Sequence, residues 1–354
     1  PPMLVPRGKV TGGSSAINAQ VFLRGVPEDF DSWASLGNDQ WSYQNLLQYF
    51  RKTESDTDFG GGDFHNSDGP IIVRRFKAEE WRPEAKAFYD AGRAAGFPDC
   101  PDHNLPDASG VGPCPVNNPN RIRWSTALGY LDPARHRLNL TIRPNCFVHR
   151  LVFEGKRAVG VEVESEGERF TVEGDEIILS AGAVGSPHIL LLSGVGPPAE
   201  LSNVGIPVLH ELPGVGKNLR DHPLTHAYFS TKEGHERGGT EGRLQMILRW
   251  TAQDSDLRND LQILMTPTRP GVVAIPWAQS VRERVGLIFT TVLNLAVGAG
   301  ELTITSADPT VQPFLDFRYL ESEFDRRRLR EAVRTAVKLG ESESFSDIIE
   351  ERIK

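Results

Sequence analysis

The sequence has 354 residues, of which 39% are hydrophobic and 24% charged, and it contains 34 glycines and 25 prolines. This composition is typical of a globular protein rich in turns, with room for one large domain or two ordinary ones. A formal net charge of -8, with no long run of basic residues, argues against a nucleic-acid-binding protein. No apolar stretch approaches the roughly 18 residues that a membrane helix needs, so no membrane span is predicted.

The first 140 residues are predicted to combine helices with long irregular segments. Ser42 is a suitable cap for a helix over residues 43–52, whose apolar residues fall on one face. A second helix is predicted over residues 79–95, before Gly96 and Pro98. Residues 56–70 carry three consecutive glycines and are predicted to be loop. Residues 99–124 are rich in Pro and Asn and are expected to wrap a surface or line a pocket.

After residue 140 the pattern changes to short apolar or alternating runs that predict β-strands. They lie at residues 140–142, 148–153, 158–164, 170–172 and 176–179. The last of these is followed by a predicted helix over residues 187–192, a connection typical of α/β proteins. A second sheet is predicted from residues 226–230, 261–266 and 287–293, and a helix capped by Ser322 should run to Leu339. The fold class is therefore α/β (α+β overall), with two layers interleaved along the chain.

The segment from Arg7 to Asn18, RGKVTGGSSAIN, has the composition of a ligand-binding turn. The adjacent Gly12 and Gly13 permit a tight turn and close approach of a ligand to the backbone, while Ser14 adds a hydroxyl. Such a turn suits an anion or the electron-rich edge of a ring. On these residues alone, an ordinary loop entering a helix remains the simpler alternative.

The segment from Ser180 to Gly196, SAGAVGSPHILLLSGVG, is the second informative stretch. Its glycines follow a predicted buried strand, where nucleotide cofactors lie in many α/β folds. A strand-to-helix corner in which Gly182 and Gly185 serve packing explains the same residues equally well.

Taken together, the two segments resemble the paired signatures of the glucose-methanol-choline (GMC) oxidoreductases. The first signature extends through Phe22, Gly25 and Asp31, and the second covers residues 182–196. Further similarity lies in Ser125-Thr126-Ala127, in Asp221-His222-Pro223 and in Ser306-Ala307-Asp308-Pro309. Thr11 is a mild departure, because the family generally has an aliphatic residue there.

The resemblance implies FAD as the cofactor, held mainly through backbone contacts, in a Rossmann-like FAD-binding domain interleaved with a substrate domain built on an antiparallel sheet. The implied FAD-binding domain, which is incomplete, covers residues 1–30, 140–222 and 300–354, and the substrate domain covers residues 31–139 and 223–299. By position in the motifs, the cofactor-binding residues are Gly12, Gly13, Ser14, Asn18, Ala19, Val21, Val148, Ala181 and Gly182.

Two parts of the family pattern do not occur in this sequence. No Gly-x-Gly-x-x-Gly follows a predicted strand, and the family places that fingerprint upstream of Pro1. The family's catalytic histidine lies downstream of Lys354. We therefore expect the chain to be an internal portion of a longer polypeptide, and the catalytic residues remain unknown. His65, His103, His188 and His222 are interpreted as packing or surface residues, and no metal site is predicted.

The resemblance implies oxidation of an alcohol to an aldehyde or ketone, with hydride transfer to flavin N5 and electrons passed to oxygen or another acceptor. The expected partners are a small-molecule alcohol and that acceptor, and a second polypeptide piece or a homo-oligomer is left open. Two alternatives also remain: a lyase or photodecarboxylase on the same scaffold, and a non-catalytic fragment. No signal-peptide pattern is visible at Pro1, so the cytoplasm is the expected compartment.

Overall fold

The computed structural model describes residues 3–235, 244–268 and 284–353. The chain divides into two compact units that alternate along the sequence. The first unit comprises Pro1–Leu140, His222–Leu295 and Arg326–Lys354, and the second comprises Thr141–Asp221 and Ala296–Asp325. The predicted mixture of α and β structure is confirmed. Within the described residues, no helix has the length and apolarity that crossing a membrane requires.

The first unit is built on a six-stranded sheet in which every neighbouring pair is antiparallel. In spatial order its strands are Ile349–Arg352, Leu224–Thr231, Leu287–Leu293, Leu261–Pro267, Met246–Trp250 and Gly110–Pro113. The three strands predicted from alternation are present, each within two residues of its expected bounds. The strand Leu261–Pro267 shows why, since its residues alternate between buried and half-buried along its whole length.

A cluster of phenylalanines lies in the core of this unit. Phe289 is fully buried and lies with its ring centroid 5.4 Å from Phe88, 5.0 Å from Phe229 and 5.4 Å from Phe345. Phe88 belongs to the helix Pro83–Ala94, which begins later than predicted because residues 78–80 form a separate 3-10 turn before Pro83. Proline is favoured in the first helical turn, where its missing N–H has no partner to lose.

Two other predicted helices are also present. Tyr43–Thr53 is capped by the Ser42 hydroxyl, which accepts a hydrogen bond from the Asn45 amide at 3.4 Å. The long helix near the end of the chain spans Glu323–Gly340. In addition, Pro27–Ser35 forms a short helix that begins at a proline.

The second unit contains a three-stranded antiparallel meander of Phe147–Glu154, Arg157–Ser165 and Glu168–Glu173, as predicted. The helix Gly182–Leu192 packs against its first strand, and the Leu151 amide donates to the Ser193 hydroxyl at 2.8 Å. This helix begins five residues earlier than predicted. Pro187, where the predicted helix began, lies inside it.

Two predicted strands are wrong. Residues 140–142 and 176–179 are not in strands, because neither segment has a hydrogen-bonded strand neighbour in the described part of the chain. The side chain of Ile178 is 79% exposed, so its apolar character alone did not indicate a buried strand.

The strand Gly110–Pro113, at one edge of the six-stranded sheet, was missed within the segment 99–124, which was expected to wrap a surface or line a pocket. A Cβ on Gly110 would lie 2.1 Å from the Pro98 carbonyl oxygen, and one on Gly112 would lie 1.8 Å from that of Cys100. Glycine is therefore required at both positions for the neighbouring backbone to approach. Residues 98–100 are hydrogen-bonded to this edge strand at Val111. The Val111 amide donates to the Pro98 carbonyl and the Val111 carbonyl accepts from the Cys100 amide, both at 3.0 Å.

Candidate active site

The Gly-Gly-Ser-Ser segment forms a compact turn in the first unit. Gly12 has φ 93° and Gly13 has φ 56°, both in the left-handed region that favours glycine, and a 3-10 helix follows over Gly13–Ala16. The turn folds back on Gly8, whose amide donates to the Ser14 hydroxyl at 3.2 Å. Nothing lies within 4 Å of the position that a Cβ of Gly13 would occupy. The backbone at Gly13 is therefore open to a ligand.

This turn is held by the Ser125-Thr126-Ala127 stretch, another part of the resemblance. The Ser15 hydroxyl donates to the Gly12 carbonyl at 2.5 Å and accepts from the Thr126 amide at 3.0 Å. The Thr126 hydroxyl also donates to the Gly12 carbonyl at 3.2 Å. These contacts fix the left-handed glycine from two sides.

The segment from Asn18 to Val21 runs beside residues 115–118. Val21 forms an antiparallel bridge with Val116, and the Asn117 amide donates to the Gln20 carbonyl at 2.9 Å. The guanidinium of Arg123 donates to the backbone carbonyl of Asn18 and, at 3.2 Å, to its side-chain oxygen. Asn18 itself is exposed, so its position is set by these contacts rather than by burial.

A cavity of about 880 Å³ opens beside this segment within the first unit. Asn18, Ala19 and Gln20 form one part of its wall. The sheet and the segment before it supply Leu244, Gln245, Leu264, Thr266 and Thr290. The charged residues of the lining are Arg74, Glu80, Arg82, Arg121 and Arg123. The Pro- and Asn-rich segment expected to line a pocket does so through Val116, Asn118, Arg121 and Arg123.

The remaining three predicted residues, Val148, Ala181 and Gly182, lie in the second unit. Val148 is half-buried in the first strand of the meander, where it is paired with Val163. Gly182 begins the helix with φ 82°, and nothing lies within 4 Å of the position of a Cβ there. Ala181 and Gly182 are both exposed, and the Ala181 amide donates to the Ser186 hydroxyl at 3.0 Å.

The predicted cofactor residues thus form two groups, one in each unit. Gly12, Gly13, Ser14, Asn18, Ala19 and Val21 belong to the first unit, and Val148, Ala181 and Gly182 to the second. Gly13 and Gly182 share a left-handed backbone and open space at the Cβ position. Within its own unit, each of these two glycines leaves its backbone open to a ligand. The individual residue roles remain predictions.

A second group of charged residues in the first unit is buried, and its members pair with one another. The protonated His65 ring donates from Nδ1 to Glu54 at 2.8 Å and from Nε2 to Asp102 at 2.7 Å. Arg75 donates to Asp56 at 2.8 Å and to Asp102 at 2.6 Å. Arg24 donates to Glu54 at 2.6 Å. We refer to these six residues, Arg24, Glu54, Asp56, His65, Arg75 and Asp102, as the ionic cluster; all are less than 9% exposed.

Burial alone would lower the pKa of His65, but its hydrogen bonds to Asp102, Asp56 and Glu54 outweigh burial and raise the pKa to about 10. Burial raises the pKa of Asp56, and bonds from His65 and Arg75 more than reverse this, so the pKa lies below its ordinary value. Ligand atoms of Glu54, Asp56 and His65 lie within 4.8 Å of one another, the spacing of a metal site. Both ring nitrogens of His65 donate hydrogen bonds, so neither is available to a metal ion. The carboxylates are already neutralised by the cations of the ionic cluster.

The sequence interpretation missed the lining arginines and the ionic cluster. The Arg121-Ile122-Arg123 and Arg74-Arg75 pairs were visible, but their spacing does not tell which side chain faces a cavity. In fact Arg74 lines the cavity and its neighbour Arg75 is buried in the cluster. His65 was interpreted as a packing or surface residue, and it is buried. His103 is also buried; burial, aided by the charge of Arg249, lowers its pKa to about 3, so it is neutral.

Comparison with known proteins supports the resemblance over almost the whole chain. The chain is 36% identical over 352 residues to an uncharacterised GMC-type oxidoreductase of Rhodococcus erythropolis, covering 98% of this chain and 66% of that protein. It is 33% identical to an oxygen-dependent choline dehydrogenase of Photobacterium profundum, covering 99% of this chain and 65% of that protein. The chain therefore spans about 65% of the length of these relatives.

Solved structures agree with the fold. A pyridoxine 4-oxidase from Mesorbium loti superposes with a TM-score of 0.90 at 27% identity, covering 98% of this chain and 68% of that one. A formate oxidase superposes with a TM-score of 0.87 at 23% identity, covering 98% and 69% respectively, which shows the fold alone. FAD is confirmed as the cofactor that goes with this fold and family. The amino-terminal model of the GMC oxidoreductases matches residues 1–224 and the carboxy-terminal model residues 296–353, and the chain therefore belongs to the GMC oxidoreductase family.

Proposed function

We propose that this chain is part of an FAD-dependent oxidoreductase that oxidises a CH–OH group of a small molecule to an aldehyde or ketone. The electrons pass to oxygen or to another acceptor. Family membership and the oxidase and dehydrogenase relatives support this proposal.

The observation that carries the proposal is the position of the cavity. Its wall includes Asn18 and Ala19, which the family motif predicts to lie under the flavin. A volume of about 880 Å³ falls within the range of small-molecule sites, roughly 300 to 1,000 Å³. An alcohol in this cavity would lie against the same segment that is predicted to contact the cofactor.

The chain's own residues act on binding and positioning. Gly12, Gly13 and Ser14 would contact FAD through their backbone and the Ser14 hydroxyl. Arg123 holds the carbonyl of Asn18, so the segment predicted to line the flavin is fixed before a substrate arrives. Bound FAD would supply the hydride acceptor.

Anaerobic mixing of the full-length flavoprotein with a panel of alcohols in the dark tests the proposal. An oxidoreductase should lose its oxidised-flavin absorbance on mixing, and admission of air or an artificial acceptor should restore it. A lyase or photodecarboxylase should leave the flavin oxidised in the dark. A purified full-length protein without bound FAD would instead support a non-catalytic role and contradict the proposal.

A further inference from the structure

The cavity has a marked excess of positive charge. Among the described residues of its lining, four arginines face one carboxylate, that of Glu80. Glu80 is already paired, since Arg74 Nη2 donates to both its oxygens at 3.0 and 3.1 Å. Two of these arginines, Arg121 and Arg123, form no ion pair with a carboxylate among the described residues.

The arginines differ in what they contact. Arg123 donates to the carbonyl and amide oxygens of Asn18, which carry no formal charge, so its own charge is uncompensated by that contact. The Arg121 side chain has no hydrogen-bond or ion-pair partner in the portions of the chain that the structure describes. Arg121 is exposed and lies in a left-handed turn with φ 66°, directly after Asn120 at φ 51°. Its side chain therefore lines the cavity without an anionic partner among the described residues.

Arg74 is held in a fixed orientation. Its guanidinium carbon lies 4.3 Å from the ring centroid of Phe76, which is 9% exposed. Beside it, the side chain of Gln245 accepts from the Arg82 amide at 3.0 Å and donates to the Glu80 carbonyl at 3.1 Å. The polar end of the cavity is therefore built from anchored groups, and Leu244, Leu264 and Val116 supply an apolar part.

This charge is the wrong sign for a quaternary ammonium substrate. Recognition of choline-like cations favours aromatic faces and carboxylates. Here the aromatic ring of the lining is covered by Arg74, and the carboxylate is paired with the same arginine. The planar guanidinium group instead can donate to two oxygens of a carboxylate or a phosphate at once.

We propose that the substrate of this site is an alcohol that also carries an oxyanion group, a carboxylate or a phosphate, bound by the cavity arginines with Arg121 as a principal contact. The proposal rests on the proposed function, because it assigns the cavity to the substrate of that reaction. It differs from the choline named for the relatives, since it predicts selection for the opposite charge.

The test compares matched ligands on the full-length holoenzyme. Isothermal titration with para-hydroxymethylbenzoate, its uncharged amide, para-hydroxymethylphenyl phosphate and choline measures binding without relying on turnover. At least one of the two anions should bind about tenfold or more tightly than the amide and than choline, and its affinity should fall as salt is added. The two anions distinguish carboxylate from phosphate recognition. Equal binding of the anions and the amide, or tighter binding of choline, would overturn the proposal.

Variants assign the effect to the cavity. Arg121→Gln should weaken binding of the preferred anion about tenfold and leave the amide unchanged, while Arg121→Lys should restore part of the loss because it keeps the charge. Arg135→Gln removes an exposed arginine that is paired with Asp132 and absent from the cavity lining, and it should change neither ligand. An equal effect of Arg121→Gln on both ligands would contradict the assignment of Arg121.

Flavin reduction by the same ligands separates this proposal from the proposed function. Reduction by the amide and the anions alike, without preferential anion binding, would reject oxyanion selection and keep the oxidoreductase. Preferential anion binding without dark reduction by any alcohol would keep the charge selectivity and reject the oxidation.

Discussion

The first unit contains two concentrations of charge that differ in how they are balanced. In the ionic cluster, three carboxylates and three cations are buried, and each member has at least one partner of opposite charge within 2.8 Å. In the cavity, Glu80 is paired with Arg74, while Arg121 and Arg123 line the wall without a carboxylate partner among the described residues. A buried cluster whose charges are all paired within it stabilises the fold or specifies how the chain packs. Charge at a cavity wall that is not paired within the protein is available to a ligand.

The largest expected difference between the two regions is in stability. Asp102→Ala should lower the free energy of unfolding by about 3–5 kcal/mol, because it leaves His65 and Arg75 buried without one of their anions. Arg121→Gln should change it by less than about 0.5 kcal/mol, since the residue is exposed. Urea denaturation followed by circular dichroism measures both.

Asp132→Ala is the matched control for the loss of a carboxylate, because Asp132 is exposed and pairs with Arg135 at the surface. It should have little effect on unfolding. Similar losses for Asp102→Ala and Asp132→Ala would show that the ionic cluster contributes no more than a surface pair.

The second prediction concerns alkaline pH. The pKa of His65 is raised by its carboxylate partners from an ordinary 6.5 to about 10 in the folded state. Its contribution is therefore fully present below pH 6.5 and is lost as the pH rises towards 10. The free energy of unfolding should fall over this range with a slope of at most about 1.4 kcal/mol per pH unit. His65→Gln should lack this component of the slope, and an unchanged slope would show that His65 does not titrate there.

The third prediction tests the Gly-Gly-Ser-Ser turn, which is predicted to contact the cofactor. Gly13→Ala should cost about 1 kcal/mol in stability, because a residue with a Cβ is disfavoured at φ 56°. It should also weaken FAD binding, because the new methyl group occupies the open space beside the backbone. Flavin release during thermal unfolding or dialysis measures the affinity.

Gly155→Ala is the control for backbone strain alone. Gly155 has φ 61°, and a Cβ there would also meet nothing within 4 Å, but the residue lies in a hairpin turn with no predicted cofactor role. It should lose similar stability and keep normal FAD affinity. Equal flavin loss in both variants would remove Gly13 from the cofactor site.

The smallest expected effect concerns metal ions at Glu54, Asp56 and His65. Their spacing would suit a divalent cation, yet His65 is held protonated and Arg24 and Arg75 already neutralise the carboxylates. Addition of zinc, or its removal with a chelator, should leave the melting temperature unchanged. A rise of several degrees with zinc at neutral pH would show that the cluster opens to bind metal.

Much of the fold was predictable because alternation and capping are local signals. Ser42 correctly marked the start of a helix, and the runs after residues 226, 261 and 287 correctly predicted strands. The strand Gly110–Pro113 was not predictable, because two of its four residues are glycines whose selection depends on a neighbouring backbone. The predicted strand at 176–179 failed for the converse reason, since apolar residues do not form a strand without a partner.

The candidate site divides in the same way. The left-handed backbones of Gly12, Gly13 and Gly182 agree with the glycine-rich turns expected there, whereas their cofactor role came from the family resemblance and stays a prediction. Arg74 and Arg121 were not found, because charge at a cavity wall arises from segments far apart in the chain. Arg74 lines the cavity whereas its neighbour Arg75 is buried in the ionic cluster. Only the packing of the folded chain distinguishes the two side chains.

The close approach of residues 98–100 to the strand Gly110–Pro113 also covers part of the edge of the six-stranded sheet. An uncovered edge strand offers its free N–H and C=O groups to any other extended chain. Here the outward groups of Val111 are already used by Pro98 and Cys100. A side chain larger than hydrogen at either glycine would push that cover away and expose the edge. Gly110 and Gly112 are therefore expected to keep this edge from pairing with a strand of another chain.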